Sequence, residues 1–158
     1  MKRIVFFTIV LALICNVAMA QLPRGTAKAS VGGETVEIEY GRPSLNGRDM
    51  LGRAQAGTVW RMGADGATIM ETGTALKFGD SVVPAGSYTL RARKESGSSW
   101  TLLIDSAGSG TVAEVPLEVS QPSSAVELFT IELKGEGAKG SFSMAWGEML
   151  AIAAFTAG

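Results

Sequence analysis

Hydrophobic and polar residues alternate with a period of two through much of this chain. Val36, Ile38 and Tyr40 interleave with Glu37 and Glu39, and Tyr88, Leu90 and Ala92 with Thr89, Arg91 and Arg93. Val115, Leu117 and Val119 alternate with Pro116 and Glu118, and Phe129, Ile131 and Leu133 with Thr130 and Glu132. Phe142, Met144 and Trp146 do so with Ser143 and Ala145, and Trp100, Leu102 and Ile104 share a phase. This spacing predicts strands with one buried and one solvated face, as in antiparallel sheets.

Turn residues separate these runs. Asn46-Gly47 suits a tight reversal at positive φ, and Val83-Pro84-Ala85-Gly86 suits a type I turn. Further loops are expected at Ser96-Gly97-Ser98, at Ala107 to Gly110 and at Lys134 to Gly137. Short strands punctuated in this way predict an all-β fold, an antiparallel β-sandwich of jelly-roll type or a small barrel. Pro116 implies that its strand is an edge or begins after it. The alanine-rich segment from Glu148 to Phe155 reads as a last strand, because Trp146-Gly147 offers no helix cap. No repeat or linker divides the chain. One domain is expected over residues 31–158, with residues 21–30 as a loose lead-in.

The first twenty residues read differently. Lys2 and Arg3 precede an apolar run from Ile4 to Ile14, and Ala18-Met19-Ala20 forms a small-x-small cleavage site before Gln21. This is the pattern of a signal peptide, so the protein is expected to be exported, to a periplasm or the medium. The run is shorter than the roughly 20 residues a bilayer-spanning helix needs, and no later segment is long and apolar enough to be one. Cys15 could be a lipid-acylation site, but Ile14 stands where a small residue is wanted. It is the sole cysteine, so cleavage would leave a domain without disulfides in an oxidising compartment. Across the chain 14 Lys and Arg stand against 15 Asp and Glu. Losing Lys2 and Arg3 makes the remainder more acidic, which argues against nucleic acid as a partner.

Several chemistries are closed to this composition. There is no histidine, which excludes Ser-His-Asp and Cys-His catalysis and histidine-held haem. Zinc sites built on imidazole or thiolate are excluded with it. No phosphate loop or calcium loop is present, and nothing in the sequence calls for a cofactor or metal. Carboxylates, cationic side chains, hydroxyls and tryptophans remain. Glu37 and Glu39 share a strand face about 6.6 Å apart at roughly 3.3 Å per residue, a spacing two hydrolytic carboxylates could use. Any alternating strand produces the same spacing, so a solvated face explains them as well.

Residues 40 to 68 hold the sharper candidates. Arg42, Arg48, Arg53 and Arg61 fall among turn residues there, with Trp60 beside the last. Arginine pairs bidentately with anions and stacks on aromatic rings. One reading is a cleft for a small anionic or polyhydroxyl ligand, or an envelope component, lined by Arg42, Arg48, Trp60, Arg61 and Asp65. The other is an internal clasp that ties the loop to the sheet through Glu37, Glu39, Asp49 or Asp65. Trp100 and Trp146 fall in phase with core residues, whereas Trp60 could serve either the core or a ligand.

These residues also carry a resemblance. Tyr40-Gly41-Arg42-Pro43-Ser44, Gly47-Arg48, Val59 to Ala64 and Val83 to Leu90 resemble, in order, the signature blocks of a bacterial exported family, domain of unknown function 2911. Ala145-Trp146-Gly147 is similar to its closing block, and the likeness spans about residues 26 to 155. The resemblance implies an exported β-rich domain and brings no established activity. Asp65 stands where that family usually has asparagine, and its aromatic Gln-Trp-Gly element is missing after Ile104. Together these features favour a non-catalytic ligand-binding or envelope-associated module. The alternatives are a carboxylate-based hydrolase of a glycan or other envelope substrate, and a purely structural protein-interaction domain.

Overall fold

Each alternating run forms a strand with its apolar side turned inward. A computed structural model describes residues 23–158. The expected signal peptide, with Cys15 and the cleavage site, lies outside the described residues. Among the described residues twelve strands follow in order, beginning with β1 (Arg24–Val31), β2 (Glu34–Gly41), β3 (Val59–Trp60), β4 (Thr68–Thr72), β5 (Leu76–Phe78) and β6 (Ser81–Val83). Then come β7 (Gly86–Lys94), β8 (Trp100–Ser106), β9 (Gly110–Ser120), β10 (Val126–Glu136), β11 (Lys139–Gly147) and β12 (Met149–Ala157). There is no α-helix among the described residues, and so none long and apolar enough to cross a membrane.

The strands form one antiparallel sheet in the order β1-β2-β4-β7-β8-β9-β12-β11-β10, with β3, β5 and β6 paired off this path. The sheet curls until its two edges meet, giving a nearly closed barrel. The all-β, single-domain, antiparallel fold expected from alternation is therefore the fold observed. The Glu148–Phe155 segment is a strand, as read: β12 pairs with β11 along most of its length and with β9 and β5.

Three local expectations change. The loop expected at Lys134 to Gly137 is strand through Glu136, with the turn at Gly137 and Ala138. The segment expected as a loose lead-in is strand β1 from Arg24 on, paired residue by residue with β2 from Arg24↔Gly41 to Val31↔Glu34. Its inward residues include Ala27 and Val31, too small to give a strong alternation signal. Pro116 sits inside β9, neither on an edge strand nor before the strand's start. It faces Thr101 of β8, and the ladder to β12 takes in only Glu118, Val119 and Ser120. The proline's missing N–H thus falls where β9 has one ladder rather than two.

The core fills the barrel. Val36, Ile38, Leu90, Leu102, Ile104, Phe129 and Met144 are among its fully buried members. On the outer face, Arg91 bonds to Asp105 at 2.5 Å, and Arg93 reaches Glu95 at 2.9 Å and Glu114 at 2.7 Å. The Arg91–Asp105 and Arg93–Glu114 pairs join β7 to β8 and to β9, with Arg91 and Arg93 at the polar positions of their alternating run.

Closure depends on residues 40 to 46. The buried Tyr40 hydroxyl donates to the Ile131 carbonyl at 3.2 Å and accepts the Ile131 N–H at 2.9 Å. Arg42 donates Nε to the Phe129 carbonyl at 3.2 Å and its terminal amino group to the Thr130 hydroxyl at 3.0 Å. The Leu45 N–H reaches the Glu127 carbonyl, and the Phe129 N–H reaches the Pro43 carbonyl. The Ser44 hydroxyl donates to the Glu127 carboxylate. Gly41 lets the 61–67 turn approach β2: a Cβ there would collide with the Ala64 carbonyl oxygen and lie 2.8 Å from its nitrogen. In that turn Met62 and Asp65 take positive φ (56° and 61°), and Thr68 donates to the Met62 carbonyl at 2.6 Å.

Replacing Tyr40 by Phe leaves the Ile131 N–H and carbonyl without that partner in the interior. The expected loss is about 1–3 kcal/mol, read as a lower urea midpoint at unchanged slope. An unchanged midpoint would show that the hydroxyl does not hold the seam. Gly41→Ala is expected to cost at least as much, through overpacking against Ala64.

Candidate ligand-binding site

At one end of the barrel the strands leave a cavity of about 630 Å³. Four stretches of chain build it: Leu45 to Gly52, Lys94 to Trp100, Val119 to Ala125, and Trp146 to Met149. Its apolar wall is formed by Trp100, Trp146, Met149, Leu45 and Leu51, and its charged groups are Lys94, Arg48, Asp49 and Glu148.

The first stretch is shaped by its turns. Asn46 and Gly47 both take positive φ (49° and 72°), and the Arg48 N–H closes the turn on the Leu45 carbonyl at 3.0 Å. This is the reversal the Asn-Gly pair predicts. The Asp49 carboxylate accepts the Gly52 N–H at 2.8 Å. Beyond it, the Gly57 N–H bonds to the Lys94 carbonyl and the Lys94 N–H to the Thr58 carbonyl. The loop is therefore pinned to β10 at one end and to β7 at the other.

The wall is part of an aromatic cluster. Trp60 stacks on Trp146 with centroids 5.5 Å apart and planes at 14°. It meets Trp100 and Phe129 edge-on at 6.4 and 4.8 Å. Tyr40 extends the cluster through Phe129. The Trp146 ring N–H donates to the Glu127 carbonyl at 3.2 Å. Aromatic pairs of this geometry contribute about 0.5–1.5 kcal/mol each beyond their buried area. Trp100 and Trp146 therefore line the cavity with orientations fixed from behind.

Lys94 is the residue that sequence reasoning missed. It is 8% exposed, and its ammonium lies 5.2 Å from the centroid of the Trp100 ring. The signal was present, since Lys94 continues the inward phase of Tyr88, Leu90 and Ala92. A lysine on that phase is a charge turned toward the barrel mouth.

The residues expected to form a ligand cleft are only partly brought together. Arg48 lines the cavity, with its Nε on the Leu45 carbonyl at 3.1 Å. Arg42 is engaged with β10, as an internal clasp that uses a carbonyl and a hydroxyl rather than a carboxylate. Trp60 is half-buried in the aromatic cluster and packs behind the lining. Arg61 and Asp65 are exposed in the 61–67 turn and do not line the cavity. Arg53 is also exposed. Positive φ at Asp65 accounts for an asparagine-like side chain there, since Asn and Asp tolerate the left-handed region. Glu37 pairs with Lys28 at 2.8 Å, and Glu39 is exposed on the same strand. Neither lines the cavity. No cluster of His, Cys, Asp or Glu suited to a metal ion occurs among the described residues.

Glu127 fixes the loop where it enters the cavity. The Ser44 hydroxyl, then the Asn46 N–H at 2.9 Å, hold its carboxyl below the usual range. On the outer sheet face, Arg91 does the same for Asp105. A carboxylate depressed in the folded state stabilises above its unfolded value, and that stabilisation is lost as pH falls through the folded value. Glu127→Gln is therefore expected to melt lower than the parent at pH 7, with the two melting temperatures converging as pH falls below the ordinary carboxylate range. Parallel curves from pH 7 to pH 3 would remove Glu127 from the account.

Comparison with known protein families matches residues 22–154 to the family described as "Protein of unknown function (DUF2911)". No curated protein and no solved structure matches the chain.

Proposed function

Given that the chain belongs to the DUF2911 family, we propose that it is an exported, non-catalytic binding module for a small anionic or polyhydroxyl ligand, and that the cavity at the barrel mouth is its site. The observation that carries this reading is the pairing of a 630 Å³ opening with two lining tryptophans and a largely buried lysine. Small-molecule sites are typically concave and mostly apolar, about 300–1,000 Å³, with a few placed polar groups. The cavity has that size and that makeup. Export is supported by the basic start, apolar run and small-x-small site of residues 1 to 20.

A structural role for part of the arginine-rich stretch is favoured by one observation, the anchoring of Arg42 on Phe129 and Thr130. The two readings divide the stretch between them: Arg42 closes the barrel, and Arg48 faces the cavity.

The test is a panel of neutral sugars, sugar phosphates and small carboxylates, read by thermal shift and by tryptophan fluorescence. A ligand at 100 times its dissociation constant adds about 2.7 kcal/mol to native stability. Binding at the cavity is expected to change the fluorescence saturably, because Trp100 and Trp146 line it. Arg48→Ala is expected to weaken a hit, whereas Arg61→Ala, outside the cavity, leaves it unchanged. Loss of binding in Arg61→Ala alone would move the site to the 61–67 turn.

A further inference from the structure

The inner phase of β7 carries one residue that core packing does not explain. Tyr88, Leu90 and Ala92 pack inward, and Lys94 follows them at the barrel mouth. The stem of the residue is covered while its ammonium keeps access to the cavity, since no buried side-chain nitrogen among the described residues lacks a partner. The Trp100 ring lies against that ammonium. Ion pairs of the described residues include Lys28 with Glu37, Arg91 with Asp105, and Arg93 with Glu95 and Glu114. None involves Lys94. A cation on an apolar cavity wall is complementary to an anionic group.

The other charged lining residues are more exposed than Lys94: Asp49 and Glu148, which are acidic, and Arg48. The rim therefore carries one positive and two negative side chains, while the inner charge is positive. This arrangement favours an anionic group placed inward and disfavours a second one at the opening. Trp100, Trp146 and Met149 supply apolar wall to the same cavity.

We infer that the ligand is a monoanionic amphiphile: a single carboxylate or comparable head sits on the Lys94 ammonium, and an apolar body lies across the tryptophans. The inference rests on the reading of the cavity as a ligand site and narrows its chemistry. Sugar phosphates and dicarboxylates carry too much charge for the rim, and neutral sugars leave Lys94 uncompensated.

The experiment is a titration of the whole domain at pH 7, followed by tryptophan fluorescence, with four matched probes. These are octanoate, 1-octanol, the dicarboxylate suberate and acetate. Octanoate is expected to bind at least tenfold more tightly than each of the others. In Lys94→Met, which keeps the apolar stem and removes the charge, octanoate and octanol are expected to bind equally. Octanol equal to octanoate in the parent protein would overturn the charge assignment and leave the cavity as a ligand site. Suberate equal to octanoate would overturn the single-charge limit, and acetate equal to octanoate would overturn the apolar body. Saturable binding of a neutral sugar but not of octanoate would overturn the amphiphile and keep the site. If no probe and no member of the sugar and phosphate panel changes the fluorescence, the binding reading itself falls. Should Lys94→Met fail to fold, the four-probe comparison on the parent protein decides alone.

Discussion

A curled sheet has two edges, and the structure of this protein depends on how they are joined. β1 and β10 end the strand order, and an edge strand exposes backbone donors and acceptors that must find partners. A continuous ladder does not close this gap. Side chains and loop backbone do so, with the Tyr40 hydroxyl serving both the N–H and the carbonyl of Ile131 and Arg42 holding Phe129 and Thr130. Glycine permits the close approach elsewhere along the seam: a Cβ at Gly135 of β10 would collide with the Ser30 carbonyl oxygen of β1. The turns at the far end meet through the Gly32 N–H and the Gly137 carbonyl at 2.7 Å. Once the seam is shut, Phe129 and Trp146 are positioned, and with them the wall of the cavity.

Period-two alternation made the larger strands legible, because the barrel has one apolar and one solvated face. β2, β7, β9, β10 and β11 were readable from their bulky inward residues. β1 was not, because Ala27 and Ala29 leave little contrast with Lys28 and Ser30. Close packing against β10 requires small residues there, so the feature that seals the barrel also erased the signal. The site was legible in part. The turn residues marked the 45–52 loop and Arg48, but a cluster of arginines does not say which carbonyls lie across from it. The direction of Arg42 was set by strand order, a long-range property. Lys94 was missed because alternation was followed through hydrophobic residues, and its charge interrupted them in type but not in phase.

The charged outer face has a different part. Arg91, Arg93, Asp105 and Glu114 form pairs across β7, β8 and β9. Such partly exposed pairs add little to stability. Their contribution is to register, since a one-residue slip would turn each of these side chains toward the core. The same strands present Lys94 and Trp100 at the mouth, so the outer pairs help to keep a lysine opposite a ring on the inner side.

The seam contacts join residues 87 to 91 positions apart along the chain. Contacts of such sequence separation make topologies of this kind slow to assemble, on the order of milliseconds to seconds for all-β domains. The cavity inherits this dependence, because its wall draws on segments from Leu45 to Met149. No single hairpin contains it. During synthesis, a chain that has not yet released β12 has the loop, the lysine and both lining tryptophans, but lacks Met149 and the strand that joins β11 to β9. The cavity is thereby confined to molecules whose strand β12 is in place, and its presence reports a completed sheet.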